Sequence, residues 1–404
     1  MQQSFDPNTL NKIQFLVGDA GALERISNVP ARKPFCNEIV DFLNELSREI
    51  MRNSMCRQYS DVMTFAFWIR KASITALAER FREDDSSIRL GRGVSFHVAP
   101  SNVPVNFAYS LVAGLLTGNA NIVRVPSKEF AQTGIIADAI EETLRSFVNL
   151  SDLICLIRYS RDKEVNDLLS SLADTRIIWG GDETISEIRR SPLPPRSTEI
   201  TFADRYSLSI IDSEEYLGLD DKQAFASDFY NDTYFSDQNA CTSPALVVWT
   251  GSKKSEAKKI FWEELHKKVL DKYTFQDVQS VNKLTGVYKV LSDIEGVTFI
   301  EGDDNFITRL EVRELSADLM AYRAGSGFFF EYDCDDIMDL KEICNDKRCQ
   351  TIGILGEREI LKPLIESGIK GVDRIVPIGR TMDFDLIWDG YDLYSALTRI
   401  VTIC

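Results

Sequence analysis

Between Gly91 and Arg190, short β-type apolar runs take turns with segments of helical length. The runs cover residues 94–99, 121–125, 153–158 and 176–179; the helical segments cover 107–116, 129–149, 166–172 and 183–190. Strands spaced this way cannot be closed by tight hairpins and need helical crossovers. The alternation therefore predicts a parallel sheet wrapped by helices. Gly118-Asn119 ends the first helix as a C-terminal glycine does, and Asp182 is read as the N-cap of the segment 183–190. Residues 191–198, SPLPPRST, form a proline-rich break. Beyond it the pattern resumes, with strand candidates at 207–211, 245–249, 288–290, 297–300, 328–332, 351–355 and 374–378 and a helix at 252–271. The fold class expected is α/β with two α/β domains.

The first 85 residues read as mainly helical. Ile39, Val40, Phe42, Leu43, Leu46 and Ile50 share one stripe of the segment 37–52, and Val62, Phe65, Trp68, Ile69 and Leu77 repeat it over 61–82. An N-terminal packing or oligomerisation layer is the plain reading.

Composition removes several functions. With 46 basic and 62 acidic side chains, the formal charge is −16. A nucleic-acid or anionic-membrane binder needs a basic face, so neither partner is expected. No apolar run is long enough for a membrane span, and the amino terminus carries no secretory pattern, so a cytoplasmic protein is expected. Eight cysteines without a CxxC pair make no disulfide framework, and only His97 and His266 exist. No metal site is expected on that set.

Of the eight cysteines, Cys241 is the one to single out. Cys241 lies in the small, polar segment Ser236-Asp237-Gln238-Asn239-Ala240-Cys241-Thr242-Ser243, directly before an apolar strand. At such an edge a thiol can reach solvent, with backbone N–H groups facing an oxyanion; the alternative is a small buried hydrophobe. Cys36, Cys56 and Cys155 read as packing, Cys344, Cys349 and Cys404 as incidental. Cys334, in an acidic loop, is disfavoured as a nucleophile by a raised pKa. A GxGxxG fingerprint is absent. Two junctions after strands, Pro100-Ser101-Asn102-Val103-Pro104 and Gly180-Gly181, can still admit a cofactor or serve only as turns.

In order, these motifs resemble the aldehyde dehydrogenase superfamily: His97-Val98-Ala99-Pro100-Ser101-Asn102-Val103-Pro104, then Gly118-Asn119 through Arg124-Val125-Pro126-Ser127, then Gly180-Gly181. Gln238-Asn239-Ala240-Cys241-Thr242-Ser243-Pro244 is similar to the LuxC-type acyl-CoA reductases. So are Arg348-Cys349-Gln350-Thr351-Ile352, the run Asp373 to Arg380, and Trp388-Asp389-Gly390. The resemblance implies an aldehyde-dehydrogenase-like fold. Its parts would be an N-terminal helical region (1–88), an NAD(P)-binding domain (89–206), a catalytic domain (207–375) and a C-terminal return segment (376–404). It implies Cys241 as nucleophile, Asn102 as oxyanion donor beside the Cys241 backbone N–H, and His97 as a candidate proton donor, with a core histidine as the alternative. Ser101, Arg124, Pro126, Ser127, Gly180 and Gly181 would bind the cofactor; an arginine at 124 favours NADPH, with NADH possible.

Hydrolytic members place a glutamate base where this chain has Thr201, and Glu199 is two residues off. The implied reaction is therefore reduction of an acyl-CoA, fatty acyl foremost, to an aldehyde through an acyl-Cys241 enzyme. An acyl-phosphate reductase, an aldehyde dehydrogenase and an inactive structural subunit stay open as alternatives. Coenzyme A or cofactor phosphates could meet Arg374 and Arg380, or these could form salt bridges. By analogy with the family, an acyl-protein synthetase is a candidate acyl donor and a homo-oligomer is expected.

Overall fold

A computed structural model of the chain describes residues 5–81 and 87–403. Cys404 and the end of the helical reading at 82 lie outside the described residues. The chain divides into two compact units, residues 1–203 with 391–404, and residues 204–390.

The first unit carries a six-stranded sheet. Its strands are β1 (Gln14–Val17), β3 (Val94–Val98), β4 (Ala120–Arg124), β5 (Ile154–Arg158), β6 (Thr175–Trp179) and β7 (Thr198–Phe202), in the order β1-β5-β4-β3-β6-β7. β2 (Ser87–Gly91) stands apart and pairs antiparallel with the C-terminal strand Thr398–Thr402. All pairs of the main sheet are parallel except β1 with β5. β3, β4 and β6 are buried throughout, as expected of parallel strands covered on both faces. Starting at β3, the chain winds outward through β4 and β5, then crosses to β6 and β7 on the other side. The winding reverses between β3 and β6, and the carboxyl ends of the two strands flank a crevice at that reversal.

The helix Asn37–Arg52 buries the expected stripe, Ile39, Phe42, Leu43, Leu46 and Ile50 among it. The second stripe is divided into Ser60–Trp68 and Lys71–Arg80. The helix Asn106–Leu116 is apolar on nearly every side and is buried accordingly. Its Gly114 makes room for the Asn121 side chain, since a Cβ there would come within 1.8 Å of Asn121 Oδ1.

The second unit holds a seven-stranded sheet in the order β10-β11-β12-β9-β8-β13-β14. These are β8 (Tyr206–Asp212), β9 (Pro244–Thr250), β10 (Val297–Ile300), β11 (Thr308–Val312), β12 (Phe328–Asp333), β13 (Cys349–Leu355) and β14 (Arg374–Pro377). Only β10 runs antiparallel to its neighbour. Trp249, Phe261, Trp262 and Phe329 build part of its core. The buried carboxylate of Glu331 accepts from Trp249 Nε1 (3.0 Å), Trp262 Nε1 (2.8 Å) and Arg309 Nε (2.6 Å), so it is fully partnered.

Several expectations need correction. The N-terminal region is not wholly helical, since Gln14–Val17 adds an edge strand to the first sheet. Residues 288–290 belong to the helix Asp277–Asp293, where Val287 and Val290 form the buried face; so short an apolar run does not distinguish strand from helix. Gly181 caps the helix Asp182–Ile188, and Asp182 is its first residue. The strands Thr198–Phe202 and Thr308–Val312 add to those expected. The boundaries also differ: residues 376–390 pack within the second unit, and the return to the first begins at Tyr391. The cause is the anchoring of residues 379–389 described below.

Candidate active site

The residues expected to bind a cofactor gather at the carboxyl edge of the first sheet. Ser101 and Asn102 are exposed in the loop after β3, Ser127 is exposed after β4, and Gly180 and Gly181 follow β6. Ser101, Asn102, Gly180 and Gly181 thus lie on the two strand ends that flank the crevice. A Cβ on Gly181 would meet nothing within 4 Å. Just past the β3 loop, Asn106 Oδ1 is a buried acceptor with no partner among the described residues. An open backbone and an unclaimed acceptor fit a dinucleotide in this crevice.

Two residues of the expected set turn inward instead. The Arg124 guanidinium stacks 4.4 Å from the centroid of the Tyr159 ring and donates to the Tyr159 carbonyl at 3.4 Å. Buried in this way, it is not presented to a phosphate. Pro126 is buried too, its carbonyl accepting from Arg158 Nε at 3.2 Å.

The reading of His97 as proton donor is likewise corrected. The residue has no exposed surface. Its Nε2 lies 3.0 Å from Asn121 Oδ1, while Asn121 Nδ2 donates to the Asn119 carbonyl at 2.8 Å. That pattern puts the proton on Nε2 and leaves Nδ1 to accept from Ser110 Oγ at 2.7 Å. Ser110 Oγ in turn accepts from Trp179 Nε1 at 3.1 Å. Both ring nitrogens are thus engaged inside the sheet-helix layer. Burial holds the His97 imidazole down, at about 4.

A depressed imidazole pKa stabilises the fold fully above the unfolded value of 6.5, and that stability is lost as the pH falls towards 4. Wild type is expected to lose about 2–3 kcal/mol from this group between pH 7 and 4.5. Urea unfolding at the two pH values is expected to show that increment missing in His97→Gln. An equal pH dependence in both proteins would refute the assignment.

Glu199, near the position of the hydrolytic base, is held by Arg176 Nε at 2.8 Å and Arg189 Nε at 2.7 Å. Thr201 offers no carboxylate.

Cys241 belongs to the second unit, at the amino edge of its sheet, three residues before β9. The loop that presents it is rigidly held. Asp237 and Gln238 both take left-handed backbone conformations, with φ of 54° and 56°, a costly arrangement for residues with side chains. Hydrogen bonds hold it. Asp237 accepts from Gln279 Nε2 (3.0 Å), Ser326 Oγ (2.9 Å) and the Tyr273 hydroxyl. The Gln238 amide donates to the Pro244 carbonyl (2.8 Å) and accepts from the Gly327 and Phe328 N–H groups, both at 3.0 Å. Ser207 Oγ donates to the Cys241 carbonyl at 2.8 Å.

On another side, Asp232 accepts the N–H groups of Gly379 (2.6 Å) and Thr381 (3.1 Å), and burial pushes its carboxyl up to about 7. This anchors Met382, whose sulfur lies 3.1 Å from Thr242 Oγ1. Arg374 stacks on Trp388 and donates to the Thr381 and Asp383 carbonyls, and Arg380 pairs with Asp383. Both arginines thus hold the same segment.

Cys241 opens into a pocket of about 220 Å³ lined by Asp204, Arg205, Asn239, Arg323 and others. The residue is half-buried, but its sulfur is enclosed enough that burial pushes the thiol up to about 12. Asp389 pushes in the same direction; Arg205 and the Gln350 amide pull it down. Cys56, Cys155, Cys344 and Cys349 are buried. Burial also pushes the Cys334 thiol up to about 12, with Asp339 adding to it, so the expected direction holds and burial is its main cause.

The reading of single residues missed Arg205, which pairs with Asp373 and Asp389 and donates to the Cys349 carbonyl at 2.7 Å. No local motif marks it. Gln350 and Asp389 lay inside quoted motifs without an assigned role.

Residues 26–290 match the family described as LuxC, acyl-CoA reductase. The long-chain acyl-protein thioester reductase of Aliivibrio fischeri is 26% identical over 77% of this chain and 63% of its own length. That of Photorhabdus luminescens is 24% identical over 79% of this chain and 65% of its own length. The chain therefore spans a little under two thirds of these relatives. Among solved structures, a 3,6-anhydro-L-galactose dehydrogenase superposes with a TM-score of 0.64 at 13% identity, covering 97% of this chain and 96% of that one. An indole-3-acetaldehyde dehydrogenase reaches 0.66 at 13% identity, covering 95% and 85%. The fold is that of the aldehyde dehydrogenases, and the chain belongs to the LuxC acyl-CoA reductase family.

Proposed function

We propose that this protein reduces an acyl thioester to an aldehyde through an acyl-enzyme on Cys241. The observation that carries the reading is a single thiol displayed by a strained, hydrogen-bonded loop in a chain of this family. The Cys241 thiolate attacks the thioester carbon, a new S–C bond forms, and the carrier departs as its thiolate. The Cys241 backbone N–H and the Asn102 amide are proposed to receive the oxyanion. A nicotinamide dinucleotide in the first unit's crevice supplies the hydride when bound. The resulting thiohemiacetal on Cys241 expels the aldehyde and restores the thiolate. With Glu199 held by two arginines and Thr201 beside it, nothing at that position activates water, so the acyl-enzyme persists until it is reduced.

The relatives named as acyl-protein thioester reductases favour an acyl group delivered on a protein, and the family description favours a coenzyme A thioester. With Arg124 turned inward, the sequence argument for NADPH over NADH loses its residue, so both belong in the test.

The test is intact-protein mass after brief exposure to thioesters of graded acyl length, with and without NADPH or NADH. A covalent acyl increment that either cofactor discharges with release of aldehyde is expected. Absence of the increment with every thioester, together with its appearance from acyl phosphates, would replace this reading with that of an acyl-phosphate reductase.

A further inference from the structure

The Cys241 sulfur has no histidine to activate it. Of the two histidines, His97 is committed to Ser110 and Asn121, and His266 pairs with Asp304 at 2.7 Å beside a different pocket. A buried amide, that of Gln350, also acts on the sulfur. Gln350 has no exposed surface, and both its amide nitrogen and its amide oxygen lack a well-formed partner among the described residues. Such a group is costly to bury and calls for a role.

Its placement is specific. In β13, Cys349 stands opposite Tyr206 of β8 and Ile352 opposite Leu208, so Gln350 and Thr351 share the single partner Ser207. At the same level, the β8–β9 ladder slips between Ser207 and Leu208. Bulges of this kind re-aim side chains beside active sites. Here the bulge lies next to Ser207, whose hydroxyl holds the Cys241 carbonyl. The Gln350 amide bears on both the Cys241 sulfur and the Asp389 carboxylate. Asp389 is fixed by Arg205, which also holds Asp373 and the Cys349 carbonyl next to Gln350 in the chain.

We propose that Gln350 is the donor that stabilises the Cys241 thiolate, one amide hydrogen directed at the sulfur and the other at Asp389. The Arg205–Asp389 pair orients that amide, much as a carboxylate orients a catalytic imidazole. The charged groups acting on the sulfur are Arg205, Asp389 and Asp204, with Arg374 also in electrostatic range. Arg205 pulls the thiol down against burial, Asp389 and Asp204, and the Gln350 amide adds an uncharged donor to that pull.

The inference rests on Cys241 being the nucleophile, but its test does not need turnover. Iodoacetamide labelling of Cys241 in the full chain is followed by peptide mass spectrometry between pH 7 and 9. Wild type is compared with Gln350→Met and Gln350→Glu. Gln350→Met is expected to slow Cys241 labelling about tenfold at each pH, equivalent to one pH unit. Gln350→Glu, the same size with a negative charge beside the sulfur, is expected to slow it further, and labelling of Cys36 to stay at its wild-type rate. A purely structural role for Gln350 predicts no such order between Met and Glu. Equal Cys241 rates in wild type and Gln350→Met would overturn the proposal. If the glutamate variant does not fold, the methionine variant alone decides. Acyl labelling that survives in Cys241→Ala would refute the nucleophile, a result this labelling series cannot produce by itself.

Discussion

Cys241→Ala is expected to lower aldehyde formation from the best thioester by at least about ten-thousand-fold, the scale seen when a covalent nucleophile is deleted. The same variant is expected to bind the nicotinamide cofactor with affinity unchanged within about twofold, because the proposed cofactor residues belong to the first unit and the sulfur to the second. Steady-state aldehyde release and cofactor fluorescence titration measure the two quantities. Loss of both together would indicate unfolding rather than loss of a nucleophile. Aldehyde release above about one part in a hundred of wild type would transfer the role to another thiol. Few candidates exist for that transfer. Cys56, Cys155, Cys344 and Cys349 are buried, and Cys334 is buried beside Asp339. Among the described residues, only Cys36, half-buried just before the helix Asn37–Arg52, shares the partial access of Cys241.

The second large effect is on stability. Arg205 is buried and donates to Asp373, to Asp389 and to the Cys349 carbonyl. Burial already pushes the Asp389 carboxyl up, against the pull of Arg205. Arg205→Met keeps the length of the side chain but leaves Asp389 buried without its counter-ion. Removing one partner of a buried pair costs about 3–5 kcal/mol. Urea unfolding at pH 7 is expected to show that loss. Arg205→Met combined with Asp389→Asn is expected to recover part of it, since the second change removes the stranded charge. A single variant within about 0.5 kcal/mol of wild type would show that the pair contributes little.

The alternation of strand and helix from Val94 to Trp179 was legible because parallel strands buried on both faces show as unbroken apolar runs. The same rule explains what was missed. Thr308–Val312 alternates buried and half-exposed residues and contains Arg309 and Glu311, so it has no apolar run to notice. Residues 288–290 gave a false strand because a run of three, of which only Val290 is buried, is too short to show a helical period. At the candidate site, Cys241 could be picked from its small polar surroundings and its position before a strand. The core reading of His97 was among the alternatives, whereas the inward turn of Arg124 was not, because it depends on Tyr159, which only the folded sheet brings near. Gln350, Arg205 and Asp389 are spread over 185 positions of the chain (205 to 389), and neither periodicity nor a short motif can join them.

The path of the chain has one more consequence. It leaves the first unit after Ala203 and re-enters it at Tyr391, where the rings of Phe202 and Tyr391 stand 5.5 Å apart. Arg205 and Asp389, one residue in from either end of the second unit, clasp each other. Both halves therefore keep their cut ends close together, the condition under which a domain can be excised or grafted. A short bridge from 203 to 391 would leave the first unit with its C-terminal strand paired to β2. The segment 204–390 could be expressed separately or exchanged between relatives, carrying the thiol, its amide and the clasp as one cassette.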